Sequence, residues 1–204
     1  LTASSLSTRG AIHALEEDHR EAVDTLQRAL SMREGTGADT PDVAHTLLML
    51  GIVQLGFEKP DLAEPHLRRA TQILLPFHQT QLDSLFKSFN NAIMSMNVQH
   101  KYKEIIAFAE PILTQLQNEP LADPNFLGAV MTGLSTGYYG LGKASKAEKL
   151  LRRAMGVVES RLGPTARELE PILYNLAVVL EGMGRRFEAN TYRQRADDIL
   201  AKQN

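Results

Sequence analysis

Small residues recur in this chain every 42 positions, in three phased columns. The first column reads Gly51, Ile93, Ser135, Ala177. The second reads Ala63, Ile105, Ala147, Ala189, and the third Ala70, Ile112, Ala154, Ala196. An earlier copy, Gly10, Ala22 and Ala29, keeps the internal spacings of 12 and 7, with one residue deleted in the loop that follows. A period of this length marks a helical solenoid, in which each unit packs on its neighbours because it cannot bury its apolar face alone.

The period changes how length is counted. An array of five units forms one elongated domain, so 1–204 is expected to be a single domain with units near 1–37, 38–79, 80–121, 122–163 and 164–204. The apolar fraction of 43% is enough for a buried core and argues against disorder. A net charge of −2 gives no chain-wide pull toward nucleic acid or an acidic membrane. The absence of cysteine excludes disulfides, thiol catalysis and thiolate metal sites. No apolar run approaches the ~18 residues of a membrane span, and no charged-then-apolar signal segment opens the chain. The cytoplasm is the default expectation. Leu1 in place of methionine points to an excised domain or a processed product.

Within each unit the pattern reads helix A, short turn, helix B, longer loop. In the last unit, Leu169, Ile172, Leu173, Leu176, Ala177 and Leu180 form one apolar helical stripe, and Gly184 closes helix A. The fourth unit repeats this with Met131, Leu134, Ser135 and Tyr138, then Gly142, then Ala147, Leu150, Leu151 and Ala154. Thr40-Pro41 and Asp123-Pro124 pair an N-cap with proline at the first helical position. Lys59-Pro60 starts another helix. The expected pairs run 3–33, 42–75, 83–117, 123–160 and 166–202, giving an all-α solenoid of about five antiparallel helix pairs.

Where two helices cross closely, glycine, alanine or serine lets their backbones approach. The third unit has isoleucine in all three columns and carries Pro111 inside helix B. Wider spacing and a bend are expected there. At the ends, Arg193 stands where Leu67 and Leu151 stand elsewhere, Asp197 where Leu113 and Met155 stand, and Arg9 where Leu50, Leu134 and Leu176 stand. Polar residues at these places suit terminal caps.

The columns resemble the tetratricopeptide repeat, and the 42-residue period resembles its kinesin-light-chain type. The residues carrying the resemblance are Thr40-Pro41-Asp42-Val43-Ala44, Leu50-Gly51, Leu62-Ala63-Glu64-Pro65 and Arg68-Arg69-Ala70, then Tyr174-Asn175-Leu176-Ala177 and Glu188-Ala189. The resemblance implies a right-handed α-solenoid with a concave groove made mainly by helix A. Carried onto this chain, that groove holds His45, Leu48, Met49 and Ile52 from unit two and Lys87, Asn90, Asn91, Met94 and Asn97 from unit three. Unit four supplies Thr132, Thr136 and Tyr139, and unit five Tyr174, Asn175, Val178 and Glu181. Asparagine amides suit an extended peptide backbone, tyrosines add apolar area with a polar tip, and methionines adapt to varied shapes. With Lys87 the only cation in this set, a mixed polar-apolar segment fits better than a carboxylate-terminated or acidic peptide.

Sharper motifs have plainer readings. Gly133-Leu134-Ser135-Thr136-Gly137 matches the serine-hydrolase pattern, but that chemistry needs a strand-to-helix turn, and Ser135 falls mid-helix. Gly137 to Lys143 approaches a phosphate-binding loop, but Ala144 stands where a magnesium-coordinating Ser or Thr belongs. The six histidines show no metal-ligand spacing. Arg28, Arg69, Arg153 and Arg195 share one helix-B place, either as a basic stripe or as packed stems with solvated heads. The sequence therefore indicates no catalytic residue, metal or cofactor. It indicates an adaptor or scaffold holding a peptide segment or helix of a partner protein. The alternative is a sensor domain of a larger signalling protein that answers to a short peptide or small ligand. A monomer is expected, with end-to-end dimerisation through Tyr192 and Ile199 as the other option.

Overall fold

The computed structural model describes residues 2–35, 37, 39–119 and 121–202, and among these it is all helix, turn and loop. The chain divides into two compact units, residues 1–99 and 100–204. The division falls inside the third repeat, the one whose three columns are all isoleucine.

The first unit contains α1 (Ala3–Leu15), α2 (His19–Glu34), α3 (Pro41–Gly56), α4 (Pro60–Leu74), a 3-10 turn (Leu75–Phe77) and α5 (Leu82–Val98). Each helix packs on the next, and the A helices also touch, α1 on α3 and α3 on α5. The second unit contains α6 (Tyr102–Gln117), α7 (Pro124–Gly140), α8 (Ala144–Leu162), α9 (Leu169–Gly182) and α10 (Arg186–Ala201). Successive helices pack in the same way, with α7 also on α9. Both units are thus built from stacked helix hairpins, the repeat unit of an α-solenoid.

Boundaries follow the predicted capping chemistry. Thr40 accepts from the Val43 amide and Asp123 from the Phe126 amide, with Pro41 and Pro124 at the first helical turn. Pro60 opens α4. The α6 helix runs from Tyr102 to Gln117 with Pro111 inside it, and α4 likewise contains Pro65.

The small residues of the columns are buried in the helix packing. Ala22, Ala63, Ala147 and Ala189 are fully buried, as are Ala29, Ala70, Ala154 and Ala196. A methyl added to Gly10 would lie 2.6 Å from Leu26 Cγ, and one added to Gly51 would fall on the Leu67 side chain. Leu50, Leu134 and Leu176 are buried, whereas Arg9 at the same repeat place is exposed.

One turn joins A to B in every repeat. Three residues separate the paired helices each time: 16–18, 57–59, 99–101, 141–143 and 183–185. The middle one is left-handed throughout, with φ of 61° at Glu17, 56° at Glu58, 56° at His100, 72° at Gly142 and 80° at Gly184. The next amide donates five residues back, Asp18 to His13, Lys59 to Gln54, Lys143 to Tyr138 and Arg185 to Leu180, each at 2.9 Å. This is the Schellman pattern, which satisfies helix-end carbonyls and favours glycine at its left-handed place. Three of the five repeats use a bulkier residue there.

Candidate functional site

The sixteen residues expected to form the groove all lie on A helices, and they fall into two sets. His45, Leu48, Met49 and Ile52 on α3 and Lys87, Asn90, Asn91, Met94 and Asn97 on α5 belong to the first unit. Thr132, Thr136 and Tyr139 on α7 and Tyr174, Asn175, Val178 and Glu181 on α9 belong to the second.

In the first unit the set is largely solvent-facing. Ile52 and Met94 are 44% and 47% exposed, and Lys87, Asn90 and Asn97 are also exposed. Leu48 departs from the expectation: it is buried, at 6% exposure, and belongs to the core. Its repeat place falls on the stripe that α3 turns inward, where leucine gains more from burial than from solvent. Lys87 is held by Asp83 one turn back, at 2.7 Å, so its charge is locally balanced. The Asn91 amide donates to the Lys87 carbonyl at 2.9 Å, leaving its oxygen and second N–H for other partners.

The second set is more tied down. Thr132 and Thr136 donate to carbonyls one turn back, and Asn175 donates to the Pro171 carbonyl at 2.7 Å. Tyr174 donates to Asp197 on α10, and this hydrogen bond raises the phenol pKa above its ordinary value. Glu181 is paired with Arg193, also on α10. Tyr139 stands against Gly182, where a methyl would collide with its hydroxyl. Val178 remains 47% exposed.

The first repeat supplies residues that the sequence reading passed over. Ala11, Ala14, Leu15, Glu17, Met49, Ile52, Val53, Gly56 and Phe57 line a groove of about 720 Å³ between α1 and α3. Leu15 is 86% exposed and Ile12 48%. The signal was available: two of the helix-A places used for the later units fall on Ala11 and Ala14 in the first, with Leu15 beside them.

The sharper motifs are absorbed by packing. Ser135 is buried, and its hydroxyl donates to the Thr132 carbonyl at 2.6 Å. A methyl on Gly137 would lie 2.9 Å from Ile106 Cγ1 and 3.0 Å from Ile105 Cγ2, and one on Gly140 would enter the Tyr102 ring. Gly137, shared by both apparent motifs, and Gly140 therefore make room on α7 for the large residues of α6. Among the described residues, no group of three or more His, Asp or Glu side chains could hold a metal.

Two of the four arginines at the shared helix-B place are engaged between repeats. Arg69 bonds Glu34 and, at 2.8 Å, Asp39. Arg195 reaches Glu159 at 2.6 Å and the Pro164 carbonyl at 2.8 Å. Arg152, next to Arg153 in sequence, and Arg185 converge on Glu148 and Glu188. Burial pushes the Glu148 carboxyl up, but the hydrogen bonds from Arg152 and Arg185 outweigh it and hold it below its ordinary pKa. The Arg152 hydrogen bond does the same for Glu188.

No helix among the described residues is long and apolar enough to cross a membrane. Comparison with known proteins agrees with this architecture. A family model described as Tetratricopeptide repeat matches residues 1–75. No curated protein sequence matches the chain. Among solved structures, the nearly identical TPR-like repeats of a Podosopora anserina chain described as a kinesin light chain superpose with a TM-score of 0.68. The identity is 16%, over 98% of this chain and 96% of that one. BtubC (BKLC) from P. vanneervenii gives 0.72 at 20% identity, over 98% and 80%. A Rap protein complexed with competence and sporulation factor gives 0.65 at 13% identity, over 96% and 53%. Residues 1–75 thus match the tetratricopeptide repeat family model, and the whole chain shares its fold with these solved repeat structures.

Proposed function

We propose that this chain is a non-catalytic interaction module, an adaptor or scaffold that holds a peptide segment or helix of a partner protein along its A helices. The observation that carries this reading is the row of apolar side chains left in solvent on those helices in the first unit. Ile12, Leu15, Ile52, Met94 and Val98 are all at least 44% exposed. Burying them against a partner would recover hydrophobic free energy that the isolated chain forgoes. The exposed amides of Asn90 and Asn97 lie on the same helix as Met94 and would fix a backbone beside it. The sensor reading gains support from the Rap protein, which shares this fold and is complexed with a factor.

The test is affinity capture from source-cell lysate with cross-linking mass spectrometry, comparing the parent with an Ile52→Gln, Met94→Gln double variant. Both positions are exposed, so the variant should fold. A partner that cross-links to α3 and α5 of the parent and is lost from the variant is the expected result. The same partner held equally by both would move the working surface off the A helices.

A further inference from the structure

The groove between α1 and α3 combines an apolar lining with an acidic end. Leu15, Met49, Ile52 and Phe57 contribute its larger side chains, and among the described residues lining it Glu17 alone is charged. The two A-to-B turns beside it, 16–18 and 57–59, carry Glu16, Glu17, Asp18 and Glu58 against one cation, Lys59.

Glu17 and Glu58 hold left-handed φ values of 61° and 56°. Repeats four and five place glycine there, which adopts that conformation without steric cost.

We propose that this groove takes one large apolar side chain of a partner peptide whose adjacent residue is basic, with the cation meeting Glu17. This rests on the A-helix reading given above and adds the chemistry of the ligand to it. The apolar lining supplies the anchor, and the charge-assisted hydrogen bond selects the neighbour.

The test is a 1H–15N NMR titration of the 204-residue chain with three end-blocked probes. They are Gly-Ser-Phe-Arg-Lys-Ser-Gly, the same peptide with Phe replaced by Ala, and the same peptide with Glu-Asp in place of Arg-Lys. Glu17→Gly removes the carboxylate while suiting the turn, so loss of folding does not confound it. The Phe-Arg-Lys probe should shift amides around Leu15, Ile52 and Phe57. Its affinity should fall about ten-fold in Glu17→Gly, and the other two probes should bind far more weakly. Equal binding of the acidic probe, unchanged affinity in Glu17→Gly, shifts centred elsewhere, or no shifts at all would each overturn the proposal. Shifts along α5 instead would leave the A-helix reading standing, and that reading fails separately through the capture experiment.

Discussion

Glu58 sits at a φ where a side chain crowds the backbone, in a turn whose fourth and fifth copies use glycine. Glu58→Gly should therefore stabilise the protein, by about 0.5–1 kcal/mol once the larger entropy of unfolded glycine is subtracted. Gly142→Glu should cost about 1–2 kcal/mol. Urea midpoints measure both, and equal midpoints would mean the turn does not feel the side chain. At the helix crossing, Gly51→Ala drives a methyl into Leu67 and should cost about 1–3 kcal/mol. The role of Gly51 was legible in the sequence, because the column repeats. That of Gly137 and Gly140 was not. They answer Ile105, Ile106 and Tyr102 on a neighbouring helix, and one repeat's departure compensated in the next leaves no periodic trace.

Helix ends show the same contrast. Asp18 caps α2 by accepting from the Glu21 amide, but the matching places at Lys59, Lys101, Lys143 and Arg185 make no side-chain cap. Lys143→Asp should stabilise α8 by about 1 kcal/mol, through the cap and the favourable charge at a helix N-terminus. A thermal melt beside Asp18→Ala, which should lose a similar amount, checks it. If Lys143→Asp leaves the melt unchanged while Asp18→Ala lowers it, the cap in repeat four does not form. Helix bounds were legible to within about three residues, because proline, N-caps and apolar period agree. Which face of an A helix meets solvent was less so. Leu48 and Ile52 are one turn apart, yet one is core and the other exposed. Helical spacing alone does not separate the edge of an apolar stripe from its centre.

Across the molecule, the two units meet acid differently. Burial lowers the pKa of His66, in the first unit, below its ordinary 6.5. Its stability contribution is present above pH 6.5 and lost as pH falls through the depressed value. Glu148 and Glu188, in the second unit, titrate below 4.5, so theirs persists to lower pH. Hydrogen exchange at pH ~7 and ~5.5 should show α3 and α4 loosening while α8 to α10 hold. Simultaneous loosening of all five helices would sink that assignment. The repeat fold was legible throughout. The division at residue 99 and the groove in the first repeat were not, since both depend on how particular side chains fit across helices.

The uniform A-to-B turn also sets where this gene can gain or lose a codon. A residue added within a helix rotates everything after it by about 100° about the helix axis, and one added in these turns breaks the hydrogen bond that fixes the next helix's register. An insertion within 57–59 would swing the small column of α4 away from Gly51, whereas the single-residue deletion already carried lies between Ala29 and Gly51, past helix B. A codon-insertion scan should find the five three-residue turns intolerant and the connections at 75–81 and 163–168 permissive, so that variation in length accumulates along one edge of the repeat.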